Sequence, residues 1–166
     1  MTTPIRGSLA AKSPLQPLVR DGLQALDREH RGMIDAAIRT QFVDSLDLDE
    51  AVRRGNDQAN RWDYLLGHEP SGEIFGLEPH SAKNSEISTV IRKRRAALDQ
   101  LRGHLREGVK ITRWFWVASG HVDFMPFEKA TLRLDSEGIT FIGKTLLARH
   151  VPGPDRTSRK ARASRR

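Results

Sequence analysis

Three side chains that could bind a metal ion and activate water are close together in this sequence: Asp63, Glu78 and His80. Glu78 and His80 are two residues apart in a segment typical of a strand, so they would share one face of a sheet. The turn-forming stretch EPSG at 69–72 separates this segment from the one that holds Asp63, and strand pairing around the turn would bring the two carboxylates together. Neighbouring carboxylates suit Mg²⁺ or Mn²⁺, and a third polar group could orient or deprotonate a water for attack on phosphorus.

Ordinary structural roles are the alternative for these three residues. Both carboxylates could be solvated or could cap backbone groups, and His80 could make a hydrogen bond at the end of a strand.

A strongly cationic helix is predicted immediately after this segment, over residues 85–106, because its apolar residues recur at helical spacing. Three of its cations are candidates for contact with a phosphate backbone: Arg92, Lys93 and Arg95. A merely solvated helix face is the alternative.

The acid, hairpin and acid-x-base pattern resembles the PD-(D/E)xK family of restriction-endonuclease-like nucleases. In that family an Asp is followed, after a hairpin, by Glu-x-Lys, in the order helix, strand, strand, strand, helix, strand. Here Asp63, Glu78 and His80 match that pattern, within a region of about residues 20–147. The resemblance implies a restriction-endonuclease-like α/β core and a catalytic site in which Asp63 and Glu78 hold Mg²⁺ or Mn²⁺ and His80 positions the water.

The sequence departs from the family pattern at two places. His80 stands where the family has lysine, so Lys83 or Lys93 is a candidate for the missing cation, and Asp63 has no preceding proline. Pro79 also removes a backbone donor between Glu78 and His80, which favours a strand end or an edge. By analogy with the family, an acid on the first helix could complete the metal shell, and the candidates are Glu29 and Asp35.

Apolar spacing and turn residues predict an α/β protein with a mixed central sheet flanked by helices. The predicted helices cover 16–43 and 85–106, and the predicted strands cover 61–68, 73–80, 111–119 and 138–147, with a loop containing Met125–Pro126 before the last strand. We expect three regions along the chain: a flexible N-terminal lead (1–15), a single restriction-endonuclease-like domain (16–151) and a disordered basic C-terminal tail (152–166).

The net charge of +7 is concentrated at the two ends of the chain. Residues 152–166 carry six Lys or Arg residues and one Asp, whereas residues 21–151 are close to neutral. Disordered basic tails commonly bind polyanions by neutralising phosphates, without reading sequence. Five tail cations are therefore predicted to contact nucleic acid: Arg159, Lys160, Arg162, Arg165 and Arg166.

The composition excludes several classes of site. The chain has no cysteine, which rules out disulfides, cysteine-ligated zinc and thiol nucleophiles. It contains neither the G-x-x-x-x-G-K-[ST] phosphate loop nor a G-x-S-x-G elbow. No apolar run approaches the roughly 18–20 residues that span a bilayer, and the N-terminus lacks the apolar centre of a secretion signal, so we expect a cytoplasmic protein with no membrane partner.

These patterns leave three functions open. The first is a Mg²⁺-dependent nuclease acting on DNA or RNA. The second is a non-catalytic nucleic-acid-binding or accessory protein that uses only the basic helix and tail. The third is a protein-interaction module whose tail contacts an acidic partner.

Overall fold

The structure is a computed structural model that describes residues 2–122 and 129–153. These residues form one six-stranded mixed sheet in which the spatial order of the strands equals their order in the sequence. The strands are β1 (Arg20–Asp21), β2 (Phe42–Asp47), β3 (Tyr64–His68), β4 (Glu73–Ala82), β5 (Ile111–Val122) and β6 (Ile139–Phe141).

Short and long helices have different places in this fold. Three short helices precede or interrupt the first strands: α1 (Pro4–Ser8), α2 (Arg28–Arg31) and α3 (Leu48–Ala51). Two longer helices, α4 (Ile87–Gln100) and α5 (Lys129–Ser136), follow β4 and β5. Strands β1 to β4 pair antiparallel, whereas β4 with β5 and β5 with β6 are parallel. Parallel neighbours require a crossover connection, and α4 and α5 belong to those connections.

Both faces of the sheet are covered, and this decides where Glu78 points. One core cluster contains α1, α4 and all three tryptophans, while the other contains Phe42, Phe75 and Phe115. Successive strand residues alternate between faces. Phe75 and Leu77 belong to the second cluster, so Glu78 lies on the opposite face, beneath α4.

Most of the predicted secondary structure around the site is confirmed. The structure is α/β with a mixed sheet, and the hairpin predicted at 61–68 and 73–80 is the antiparallel pair β3–β4. Strand β3 begins only at Tyr64, which leaves Asp63 just before it. The helix predicted over 85–106 is α4, which ends earlier, and the strand predicted over 111–119 is β5. Only the first part of 138–147 is a strand.

The long helix predicted over 16–43 is wrong. This region contains the two-residue β1, the four-residue α2 and turns of 3-10 helix before β2 begins at Phe42. Most of its large apolar residues are buried, although Leu18 is 41% exposed, and they belong to an irregular chain that packs on the sheet. Gly22 interrupts the segment in a left-handed conformation with φ of 54°, and the backbone N–H of Asp35 donates to the carbonyl of Leu146 instead of to a helical partner.

The N-terminal region also differs from the expected flexible lead. Ile5 and Leu9 are fully buried in the core beside α4. The buried carboxylate of Asp44 accepts hydrogen bonds from the backbone N–H groups of Ile5 and Arg6, at 2.9 and 3.1 Å. Buried apolar side chains and these hydrogen bonds therefore hold the N-terminal region against the sheet.

Some predictions fall on residues that the structure does not describe. The basic tail, with Arg159, Lys160, Arg162, Arg165 and Arg166, lies outside the described residues apart from its first two positions, as does the loop predicted at Met125–Pro126. Across residues 2–122 and 129–153, none of the helices has the length and apolar character needed to cross a bilayer.

Candidate active site

The fully buried Glu78 lies at the centre of the candidate site. Its Oε1 accepts a hydrogen bond of 2.9 Å from the backbone N–H of Asp63. Its Oε2 forms a close ion pair with Nζ of Lys93 and lies 3.3 Å from Nδ1 of His80. A buried carboxylate is costly unless it is paired and hydrogen-bonded, and here both oxygens have partners.

Asp63 is held in place by its own backbone. Its carbonyl accepts hydrogen bonds from the N–H groups of Leu48 and Asp49, at 2.8 and 3.3 Å, where α3 begins. Its Oδ1 lies 3.4 Å from the same Lys93 Nζ that contacts Glu78. Burial, followed by the negative charge of Glu78, raises the pKa of Asp63 from its usual 3.8 to about 7, even though Lys93 opposes the change.

Lys93 joins the two carboxylates from the helix region above them. Its side chain is only 15% exposed, and one ammonium group contacts Asp63 and Glu78 together. Burial disfavours the charged ammonium, but the two carboxylates outweigh this effect and raise the pKa of Lys93. Asp63 and Glu78 are therefore close enough to share one cation.

The identity of this cation resolves an alternative left open by the sequence. Of the two lysines considered as replacements for the family's lysine, Lys93 reaches the carboxylates, whereas Lys83 is exposed beside the turn that precedes α4. Lys93 was also predicted to contact a phosphate backbone on the helix surface. Its side chain points inward to the carboxylates instead of lying on the helix surface, and its contact with a phosphate stays a prediction.

His80 lies between two carboxylates. Its Nδ1 faces Glu78 and its Nε2 is 3.0 Å from Oε2 of Glu86, in the 3-10 turn that leads into α4. The hydrogen bond with Glu78 raises the pKa of His80; burial opposes this, and Glu86 adds to it. An imidazolium donates from both ring nitrogens, so this environment favours His80 as a donor rather than as a proton acceptor.

The pairing of the strands explains how β4 accommodates a proline at position 79. Strand β3 pairs with β4 only from Glu73 to Leu77, whereas the parallel pairing with β5 continues past Pro79. Pro79 is therefore at a position where one side of β4 has no strand partner, as a proline requires. The same end of β3 leaves the backbone N–H of Asp63 available to the side chain of Glu78.

Two acids near the site were not predicted. Glu86 contacts His80, and Asp49 contributes to the raised pKa of Asp63. Asp49 is itself paired with Nε of Arg61 at 2.9 Å and with Arg53 at 3.2 Å. Neither acid lies on the same strand as Glu78, so the alternation of strand residues could not predict that either one is near the site. The SLDLDE stretch is acidic, but its approach to Asp63 depends on the tertiary fold.

The acids proposed from the first helix do not join the site. The helix that would have carried them is absent, and Asp35 instead lies beside Leu146 on the face of the sheet away from α4. Glu29 is exposed on α2. Among the contacts of the described residues, neither acid meets Asp63 or Glu78.

The donors present suit a hard cation with few protein ligands. No cluster of three or more His, Cys, Asp or Glu side chains arranged for a metal occurs in residues 2–122 and 129–153. Asp63 and Glu78 instead provide two carboxylates. The raised pKa of Asp63 indicates that Lys93 does not fully offset the effects of burial and of the Glu78 charge. Mg²⁺ commonly binds through one or two carboxylates and keeps several waters.

The helix cations predicted to contact nucleic acid have different surroundings. Arg92 is exposed, and its guanidinium donates to the hydroxyl of Thr89 at 3.3 Å. Arg95 is also exposed but forms a two-point ion pair with Glu137, which raises the pKa of Arg95. Arg92 is therefore the better placed of the two to meet a phosphate.

Comparison of the chain with protein-family models, curated protein sequences and solved structures found no match.

Proposed function

We propose that this chain is a divalent-metal-dependent nuclease with a restriction-endonuclease-like fold, which hydrolyses phosphodiester bonds in DNA or RNA. The observation that carries the proposal is the convergence of Asp63, Glu78 and Lys93 from three separate elements at one end of the sheet. Partial burial, followed by the charge of Glu78, raises the pKa of Asp63 to about 7. Strongly perturbed groups of this kind are concentrated at functional sites.

The element order gives independent support. Three antiparallel strands, β2 to β4, are followed by α4 and by a parallel strand, β5. This agrees with the order that the family resemblance implies, apart from the missing first helix. The acid-x-base element at Glu78 and His80 lies where β4 approaches α4. His80 occupies the position of the family's lysine, and Lys93 would supply the positive charge of that lysine from α4.

Asp63 and Glu78 would hold Mg²⁺ or Mn²⁺. When bound, such an ion polarises the phosphodiester and lowers the pKa of a coordinated water. In the described arrangement Lys93 contacts the same two carboxylates, so its ammonium would turn toward the substrate when a divalent ion is present. The long flexible side chain allows this change without movement of α4.

The chain's own residues would act on the substrate by hydrogen bonding and charge. Lys93 donates to a non-bridging phosphate oxygen and offsets the negative charge that develops there. His80 would hold the Glu78 carboxylate from Nδ1 while Glu86 fixes the ring from its other side, and the positive charge of the ring would attract a nearby phosphate. Arg92 and the basic tail hold the backbone of the nucleic acid.

A second candidate function is non-catalytic nucleic-acid binding. The observation in its favour is that Lys93 already pairs with both carboxylates, so the cluster can exist without a metal. In that case Arg92 and the tail would supply all of the binding.

A cleavage experiment separates the two functions. The full chain is incubated with end-labelled duplex DNA, single-stranded DNA and RNA, with Mg²⁺ or Mn²⁺ or with EDTA. The nuclease proposal predicts cleavage of at least one substrate with the metals and none with EDTA. Binding that weakens steeply with salt, without cleavage of any substrate, would support the non-catalytic function instead.

A further inference from the structure

A second feature, an open groove of about 440 Å³, lies between the C-terminal half of α4 and the start of β5. Its floor is apolar and consists mainly of aliphatic side chains: Leu98, Leu101, Leu105, Val109, Ile111 and Trp114. Leu98 is 43% exposed beside these other apolar side chains. The groove can therefore accept an apolar group from outside.

The rim of this groove is positively charged. Four cations line it: Arg94, Arg102, Arg106 and Lys110. Of these cations, Arg102 forms an ion pair with Asp99 at 2.9 Å. Both side chains are largely exposed, so this pair neutralises little of the positive charge. An anionic group that entered beside the apolar floor would meet an excess of positive charge.

Arg94 is the least satisfied of these cations. Its guanidinium lies over the ring of Trp114, 5.4 Å from the centroid. Its Nε is buried and has no hydrogen-bond partner among the described residues. Burial lowers the pKa of Arg94, which shows that its charge is incompletely compensated. A carboxylate that entered the groove would meet the part of the guanidinium that lines it, not the buried Nε.

The groove is separate from the candidate active site. The active-site residues Glu78 and His80 align with Trp116 and Ala118 of β5, toward the C-terminal ends of the parallel strands. Ile111 is the first residue of β5, at the opposite ends of the same two strands. A ligand in the groove would therefore not compete for the carboxylate pair.

Two alternative occupants fit the groove poorly. The chain's own tail, residues 152–166, is basic and would be repelled by the rim. A nucleic-acid base needs an exposed aromatic face for stacking, but Trp114 is only 2% exposed and is covered by Arg94. Aliphatic side chains bordered by arginines favour a peptide instead.

We propose that this groove binds an acidic peptide segment of a partner protein, with one bulky apolar side chain on the Leu98 floor and carboxylates on the arginine rim. The site does not depend on nuclease activity. Such a partner could bring the chain to its place of action or hold it there while the active site stays open.

The test uses short randomised peptides displayed on phage, selected on the folded full chain and then measured as labelled synthetic peptides by fluorescence anisotropy. The matched variants are Leu98→Asp, on the groove floor, and Leu132→Asp, at a position 69% exposed on α5 that does not line the groove. Both change an exposed leucine to aspartate, so a general effect of charge or stability would appear in both.

The proposal predicts enrichment of peptides that combine acidic residues with a bulky apolar residue. Leu98→Asp should weaken their binding by about tenfold or more, because it places a repelling and polar group on the floor, whereas Leu132→Asp should leave binding unchanged. Failure to enrich any peptide, enrichment of neutral or basic peptides, or equal binding to both variants would overturn it. Displacement of the peptide by single-stranded DNA, or self-association of the chain that Leu98→Asp abolishes, would overturn it too and assign the groove to another occupant.

Discussion

Lys93 is the single described cation that contacts both Asp63 and Glu78. At residue scale, its removal therefore distinguishes a metal site from an internal ion pair. Lys93→Gln should lower thermal stability in EDTA, because fully buried Glu78 loses its main compensating charge. Mn²⁺ should then raise the melting temperature of this variant more than that of the unmodified chain, because no ammonium competes for the carboxylates.

The control for this measurement is Lys83→Gln, which removes an exposed lysine from the same part of the chain. Its melting temperature should stay close to that of the unmodified chain with or without Mn²⁺. Mn²⁺ that stabilises neither Lys93→Gln nor the unmodified chain would speak against a divalent ion at these carboxylates.

The charge of Asp63 should make the free energy of unfolding depend on pH. Its pKa in the folded chain is about 7, above the usual 3.8, so folding favours the protonated form. The stabilisation associated with protonated Asp63 is complete below the unfolded pKa and is lost as pH rises through about 7. Asp63→Asn should therefore stabilise the chain at pH 8, by about 1–3 kcal/mol, and by much less near pH 4.

Denaturant unfolding of the two proteins at pH 8 and near pH 4 measures this difference. Because Asn cannot carry the charge of a metal ligand, the same substitution should abolish metal-dependent cleavage. An Asp63→Asn variant that is less stable than the unmodified chain at pH 8 would show that the carboxylate contributes net stability, as in an ordinary ion pair.

At the scale of elements, the approach of β4 to β5 depends on Gly76. A Cβ built on Gly76 would lie 2.5 Å from Cε3 of Trp114 and 2.9 Å from Nε1 of Trp62. Gly76→Ala should cost about 1–3 kcal/mol in the free energy of unfolding, because both tryptophans are buried and cannot withdraw. Cleavage should also fall, since Trp62 directly precedes Asp63.

Gly153→Ala provides the matched control, because nothing lies within 4 Å of the added Cβ. Denaturant unfolding should show almost no change for that variant. Equal stability of Gly76→Ala and the unmodified chain would mean that the tryptophans adjust freely and do not fix the position of Asp63.

Local patterns predicted the elements that carry the site because each signal was strong and short-range. The hairpin has a turn-forming stretch between two apolar strands, and α4 has regular apolar spacing over more than three turns. The placement of Asp63 beside Glu78 followed from this hairpin. Between Lys93 and Lys83, the sequence left the choice open, because it depends on how α4 crosses the sheet.

The failure over 16–43 has a physical cause. Apolar spacing reports which side chains are buried, but it does not report where the backbone hydrogen bonds go. Ile34 lies beside Leu146, more than a hundred residues away, and this long-range pairing replaces the helix. Periodicity did not predict the burial of Ile5, Leu9 and Leu15, because the large apolar residues of this stretch are few and widely spaced.

At the scale of the whole molecule, the separation of charge from the site suggests separate roles for binding and chemistry. Deletion of 153–166 removes six cations and leaves Asp63, Glu78 and Lys93 in place. It should weaken binding to all nucleic-acid sequences alike. The salt dependence should also fall, by up to roughly 0.9 in the log-log slope for each phosphate that the tail no longer neutralises. Filter binding across a salt series measures both effects.

Cleavage by the truncated chain at saturating substrate should stay close to that of the full chain, because the tail does not enter the chemical step. A much slower rate, with binding restored by excess protein, would place part of the active site in the tail.

The most direct measurement compares Glu78→Gln with Glu73→Gln for Mg²⁺-dependent cleavage and for nucleic-acid binding. Both variants remove one carboxylate from β4, but only Glu78 contacts Lys93 and the backbone of Asp63. The account predicts that Glu78→Gln abolishes cleavage while its affinity for nucleic acid is unchanged or slightly higher, and that Glu73→Gln retains both properties. Undiminished Mg²⁺-dependent cleavage by folded Glu78→Gln would contradict it.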